Sequence, residues 1–450
     1  MARGETMESV APEITLIAQS DDPLPLGKAA LLGLQHVLAM DVYIVPFIIA
    51  SVLAFSVGDA GAFIQSAFVA AGIATLIQSQ LLMRLPVVQG PSFVPIGAVL
   101  AIAFGAGGGI GGLSAVIGAL IPGAILVMLL GSPTRIFHRL VNRFVPPIVG
   151  GAIIIVVGVA LMPVALKESV FAVHGTATVG GNIILAFIAA AVLVGCMLTG
   201  MTLGAKGAWL RLLSVIIALV AGSIAAVFMG QLDMTGVSAA TWFSMPRIAF
   251  LNLDVTFSLS ATLTMLIVYI VVLAETTGTW FAVGAVIDKP LSDEQLDRGA
   301  TGEGLGCLVS ALLCSTPVTG YSSNAGIIAI TGIASRAAFA AAGIFLVLFG
   351  LIGKLSAVIA SIPGPVIGGV FGVLCVVIAM NGFRVVRGTP LTERNMLVIG
   401  LPILMALFAT LAPPDFVKTL PDIVQYILGS SIAFGAVWAI VLHQILPNAR

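Results

Sequence analysis

From residue 28 to residue 444 the sequence is a near-continuous series of apolar runs, each long enough or almost long enough to cross a bilayer. A helix needs about 20 apolar residues to span the hydrocarbon layer. The runs lie at 28–57, 60–83, 88–105, 110–131, 145–165, 181–201, 209–230, 256–286, 300–315, 321–335, 337–354, 364–381, 395–412 and 423–444. Charged residues make up 8% of the chain and hydrophobic ones 59%, against roughly 25% charged in a soluble domain. The expected fold is therefore an all-α polytopic membrane protein of fourteen transmembrane segments. The net charge is zero, which gives no reason to expect a nucleic-acid partner. Cys196, Cys307, Cys314 and Cys375 all fall in apolar stretches without metal-ligand spacing, so buried free thiols are expected and a metal site is not. Residues 1–27 read as a polar N-terminal tail with no cleavable signal.

Two of the runs cannot be plain helices. Thr316–Arg336 opens with Pro317, Gly320, Tyr321, Ser322, Ser323 and Asn324 before a short apolar helix begins near Ala325. The run at 88–105 opens with Gln89-Gly-Pro-Ser-Phe93. A backbone broken at membrane depth is tolerated only where protein or a water-filled cavity covers its polar groups. A half-helix that starts there aims its positive end into that cavity. Extended pieces in the third and tenth segments could pair with each other, leaving free N–H groups at the two half-helix starts for a ligand.

The positive residues fix an orientation. With the N-terminus inside, 15 of the 19 Lys and Arg residues face the cytoplasm, leaving Lys167, Arg247, Lys354 and Lys418 outside. Both termini are then cytoplasmic. Short internal matches suggest a repeat: Val88–Ser92 with Val318–Ser322, Pro147–Gly151 with Pro365–Gly369, and Ala39–Asp41 with Leu273–Glu275. Seven segments per unit is an odd number, so the second unit enters from the opposite side. Two inverted seven-segment repeats are expected, an architecture of many secondary transporters.

Ionisable groups inside membrane segments are costly and mark candidate sites. Glu275 follows a long apolar stretch and shares a helix face with Thr279. It could hydrogen-bond a polar substrate, carry a coupled proton, or do both; alternatively it bonds a neighbouring helix. Asp41, mid-way along the first run, has the same choice between substrate or proton work and pairing with a broken backbone nearby. His36 could tune a neighbour or simply be packed. Glu303 lies near a cytoplasmic end, where a solvated carboxylate competes with a role in coupling. Phe93 offers an aromatic face to a planar ligand, or packs. There is no phosphate-binding Gly-rich loop followed by Lys, no Gly-x-Ser-x-Gly, and no regularly spaced arginine segment. These absences argue against an ATP-driven pump, a hydrolase and a voltage sensor.

The motifs Leu34–Met40, Gln89–Phe93, Ala274–Gly278 and Asn324-Ala-Gly with Thr331-Gly332 after four residues resemble the nucleobase–ascorbate transporters, the nucleobase/cation symporter-2 family. The resemblance extends over nearly the whole chain. It implies a core domain (28–131 and 256–354, segments 1–4 and 8–11), a gate domain (145–230 and 364–444, segments 5–7 and 12–14) and a homodimer in the inner membrane. It implies proton-coupled uptake of a base, with no cofactor beyond the proton. Glu275 takes the position of the carboxylate that bonds the base, Phe93 that of the stacking residue, and Asn324 that of the motif amide. Ser92, Thr279, Tyr321, Ser322 and Ser323 join them as substrate contacts. His36 and Glu303 match positions that tune the site or the coupling in purine members. Three positions depart from the pattern: Ser323 where Gln or Glu precedes the motif Asn, Thr279 where Asp or His is frequent, and Asp41 where an uncharged residue is usual. The motifs following Glu275 and Thr331 point towards the xanthine and urate branch, and an elevator-like movement of core against gate is the expected mechanism. Uracil or another small planar solute is the alternative substrate. A sulfate/bicarbonate-type anion transporter on the same fold is the alternative function. A membrane-embedded enzyme would need a nucleophile–base pair or a metal cluster, and the sequence offers neither.

Overall fold

The computed structural model describes residues 16–173, 177–417 and 419–447. Most of the expected N-terminal tail, including Arg3, lies outside the described residues, as do Lys418 and Arg450 of the charge bias. The chain passes through α1 (Leu26–Leu38), α2 (Ile44–Val52), α3 (Val57–Leu76), β1 (Gln89–Pro91), α4 (Ile96–Gly105), α5 (Gly109–Gly131), α6 (Phe137–Phe144), α7 (Pro147–Val164), α8 (Val179–Thr202), α9 (Ala208–Leu212) and α10 (Ser214–Phe228). It continues through α11 (Thr235–Ala239), α12 (Leu259–Val286), α13 (Asp293–Leu312), β2 (Val318–Gly320), α14 (Ser323–Thr331), α15 (Arg336–Gly350) and α16 (Gly353–Ala360). It ends with α17 (Gly364–Val386), α18 (Glu393–Leu411), α19 (Pro414–Val417), α20 (Asp422–Gly429) and α21 (Ser431–Ile445).

Seven helices among the described residues are long and apolar enough to cross a membrane. The other expected spans are shorter or interrupted. The first expected span is two helices, with Pro46, which lacks an N–H, close to the start of the second. The chain breaks at residues 39–43 and restarts at Ile44, which places Pro46 in the first turn of α2, where no donor is needed. Asp41 is therefore in a break, not in mid-helix. The last expected span is also divided. Helix α20 stops at Gly429, and the Ser430 hydroxyl accepts from Ala433 N to start α21. The amphipathic α6 was not anticipated. It buries Phe137 and Val141 and leaves Arg139 and Arg143 exposed on its other face.

The helices pack in two groups. In one, α3 lies along α13, α15 and α16, α13 along α5, α5 along α12, and α1 along α15, with the two strands packed against α3, α12 and α13. In the other, α7 lies along α17, α18 and α21, α17 along α8, and α8 along α10. The groups meet where α12 crosses α7 and α21, and where α20 lies on α4 and α12. Helices α3 and α7 are mostly buried, whereas α8 and α18 turn most of their apolar surface outward. Outward apolar surface is what a bilayer solvent requires, and it leaves close packing, not hydrophobic burial, to hold the helices together.

Small residues supply that closeness. A Cβ on Gly72 would stand 2.5 Å from the carbonyl oxygen of Gly343, so α3 and α15 touch backbone to backbone. The α7–α17 seam is similar: a Cβ on Gly158 would lie 2.6 Å from the Cys375 oxygen. Gly195 on α8, by contrast, has nothing within 4 Å. Gly72→Leu should therefore abolish recovery of monodisperse folded protein from membranes, while Gly195→Leu should leave yield and thermal unfolding close to wild type. Size-exclusion profiles of the two variants in detergent check this; equal behaviour would refute the packing argument.

Candidate functional site

Strands β1 and β2 are antiparallel, with Gln89 opposite Gly320, Gly90 opposite Thr319 and Pro91 opposite Val318. Two three-residue strands inside a membrane protein leave outer edges that must be closed. The surrounding helices close them with short side chains. Thr75 Oγ1 on α3 accepts from Gln89 N at 2.9 Å, Thr276 Oγ1 on α12 accepts from Gly320 N at 3.2 Å, and Cys307 Sγ on α13 donates to Val318 O at 3.3 Å. Ser92 N donates to Pro317 O at 2.8 Å and Tyr321 N to Val88 O at 3.1 Å, extending the ladder at both ends. The Tyr321 ring lies directly over Gly90, where a Cβ would sit 2.6 Å from it, and its hydroxyl donates to Pro91 O at 3.0 Å. Gly90 is thus fixed by the close approach of that ring.

This arrangement starts the short helices α4 and α14 beside a cavity of about 90 Å³. One packed group lines it with Asp41, Phe93, Glu275, Thr279, Gly320, Tyr321, Ser322 and Ser323. The other contributes Ile154 on α7 and Leu374, Val377, Ile378 and Asn381 on α17. The lining contains no Lys, Arg or His. Ser92, fully buried, donates its hydroxyl to Glu275 Oε2 at 2.8 Å while accepting from Val94 N at 3.2 Å. The carboxylate is thereby oriented from one side, and its remaining lone pairs are available to a ligand. The Phe93 ring is nearly parallel to that of Phe371 of α17, 5.6 Å between centroids at 13°, and inclined by 27° to that of Tyr321 at 6.4 Å.

A wider vestibule of about 420 Å³ shares Ile154, Ser322, Ser323 and Asn381 with the cavity and runs past Ala325, Gly326 and Ala329 to Arg384. A still larger cleft of about 560 Å³ lies between α10 and the helices α1, α3 and α16. Its lining is almost wholly aliphatic and aromatic, with Ser223 and Tyr43 the polar exceptions, so it lacks the convergent polar groups that orient a polar solute.

Of the residues expected from sequence, Glu275, Asp41, Phe93, Thr279, Tyr321, Ser322 and Ser323 come together around one cavity, and Ser92 supports Glu275 directly. Three others lie elsewhere. Asn324, expected at the substrate, is fully buried, and its amide donates to Tyr321 O at 2.7 Å and Val88 O at 3.2 Å. It ties the start of α14 to the end of β1 instead of lining the cavity. His36 packs its ring on Phe339 at 4.5 Å between α1 and α15, away from the cavity lining. Glu303 stands behind the strands, where Gln78 Nε2 donates to its Oε2 at 3.1 Å and to Gly299 O at 2.9 Å. The α17 residues were missed, because an apolar helix that lines a site reads like one that faces lipid. Asn381, a lone amide at the end of an apolar run, was the available signal.

Removing the Asn324 amide would leave two buried carbonyls with fewer donors. Asn324→Ala should lower stability by about 1–3 kcal/mol, and Asn324→Asp, which sets a carboxylate against those carbonyls, should cost more. Thermal unfolding in detergent ranks the two; equal stability of Asn324→Asp and wild type would exclude this role.

Comparison with known proteins adds four findings. A family model described as the Permease family matches residues 27–414. A uric acid permease of Bacillus subtilis is 32% identical over 93% of this chain and 96% of its own length. A xanthine permease of the same organism is 31% identical over 93% of this chain and 94% of its own. Among solved structures, the transmembrane domain of a cyanobacterial bicarbonate transporter superposes with a TM-score of 0.61, covering 94% of this chain and 99% of that one at 12% identity. At that identity the likeness is one of fold.

Proposed function

The chain belongs to the Permease family, and from that membership we propose that it is a proton-coupled importer of a nucleobase, a purine such as xanthine or urate. The family match and the long apolar helices make it a multi-pass membrane protein. The reading rests above all on the Glu275 carboxylate, held by Ser92 in a cavity beside an aromatic ring. A purine is planar and carries N–H donors on its edges. Hydrogen bonds from such donors to a carboxylate contribute about 1.5–3 kcal/mol each, and Phe93 offers the ring face. The relatives named for uric acid and xanthine supply the substrate class.

In this mechanism the base binds from one side with Glu275 accepting from its ring N–H groups. Ser322 and Ser323, at the start of α14, present backbone N–H groups to its carbonyl oxygens. Glu275 and Glu303 are the groups assigned to the coupled proton. Glu303 lies one layer behind, with Thr276 and Gln89 beside it. The group containing α1–α5 and α12–α15 serves as the core, and the group containing α7, α8, α10, α17, α18 and α21 serves as the gate. The core then carries the base past the gate in an elevator-type movement, in a homodimer of the inner membrane with both termini cytoplasmic. The vestibule reaches Arg384, on the side assigned to the cytoplasm, which supports reading the arrangement as inward-facing.

An anion transporter on the same fold is the second reading, favoured by the superposition alone. A cavity with two carboxylates and no cation would repel a small anion, so this reading is weaker.

Glu275→Gln should reduce accumulation of labelled xanthine by about 100-fold with the protein still present in the membrane. A protonophore should abolish accumulation by the wild type. Unchanged uptake by the variant would sink the assignment of Glu275, and chloride-dependent sulfate flux in liposomes would favour the anion reading.

A further inference from the structure

We propose that Asp41 is a second carboxylate ligand of the substrate, so that the site reads N–H donors on two separate edges of a neutral oxopurine and disfavours anionic ones. This rests on the purine reading above and narrows it. Asp41 occupies the break between α1 and α2, and its backbone carbonyl accepts from Ile44 N at 3.0 Å, which fixes the start of α2. The side chain is left to face the same cavity as Glu275. Its partners differ from those of Glu275. Ser92 donates to Glu275, whereas no neighbouring side chain among the described residues hydrogen-bonds the Asp41 carboxylate. No Lys, Arg or His lines the cavity to balance it.

Asp41 and Glu275 line one cavity, and a ligand between them can donate hydrogen bonds to both. Among the described residues, no side chain of Thr279, Ser322, Ser323 or Asn381 hydrogen-bonds Asp41 or Glu275, and Tyr321 already donates its hydroxyl to Pro91 O. A xanthine-like base has N–H groups on both its six-membered and five-membered rings and can donate to a carboxylate at each end. Urate carries a negative charge at neutral pH and would bring a third anion into the cavity. Ser323, too short to grip a base edge bidentately, leaves an edge unread that a second carboxylate can read.

The test is competition for labelled xanthine uptake in whole cells by xanthines methylated singly at each ring nitrogen, in wild type and in Asp41→Asn. In wild type, methylation at two separated nitrogens should each weaken competition by about tenfold or more. In Asp41→Asn the KM for xanthine should rise by about tenfold, one of the two methyl penalties should disappear, and competition by urate should improve relative to xanthine. A methyl profile and urate ratio unchanged in Asp41→Asn, with only the maximal rate or its pH profile altered, would overturn the proposal in favour of a structural or proton role. Where Asp41→Asn does not reach the membrane, Asp41→Ser and the wild-type scan decide: a single sensitive nitrogen in wild type refutes the second ligand. Failure of the wild type to take up any purine would refute the transport reading itself, whereas full uptake by Glu275→Gln would refute only the assignment of Glu275.

Discussion

Everything at the site depends on the pairing of β1 with β2. Each strand is a place where a membrane segment gives up helical hydrogen bonding, and neither could persist alone in a medium that offers no water. Paired, they satisfy each other along three residue positions, and threonine and cysteine side chains of α3, α12 and α13 cover the outer edges. Two chain interruptions, each unaffordable singly, become one stable crossing. The crossing sets where α4 and α14 begin, and hence where their N-terminal N–H groups point. It also places Ser92, one residue beyond β1, against the carboxylate of Glu275.

The breaks were legible in the sequence for that physical reason. Gly90-Pro91 and Pro317 with Gly320 interrupt apolar runs in a way no spanning helix allows, and Glu275 stands out because ionisable groups inside such runs are expensive. The break at Asp41 was not legible: proline also sits inside α5, α7 and α18, as Pro122, Pro163 and Pro402, so Pro46 alone marks no break, and the apolar residues around Asp41 disguised two helices as one span. Other features left no local trace. Phe371 stacks on Phe93 from a helix whose sequence is uniformly apolar. His36, expected as a tuning group, packs on the Phe339 ring away from the cavity lining, a placement its neighbours in sequence did not signal. Asn324 looked like a ligand because it is polar and adjacent to the break. An amide beside a broken backbone is needed first by that backbone, and this one bonds two of its carbonyls.

The distribution of polar groups around the cavity bears on how it would operate. Asp41, Glu275, Thr279, Tyr321, Ser322 and Ser323 all belong to the packed group that holds the strands. The opposing wall, from α7 and α17, offers Ile154, Leu374, Val377 and Ile378, with Asn381 at the mouth. Hydrogen bonds are directional and fail when partners shift by an ångström or so, whereas aliphatic contact tolerates sliding. A ligand bound here would be held by directional bonds to one body and touched by non-directional contact from the other. Such a site can travel with the first body without releasing its ligand, which is the requirement of an elevator-type mechanism and would not be met by a site whose hydrogen bonds were shared equally across the seam.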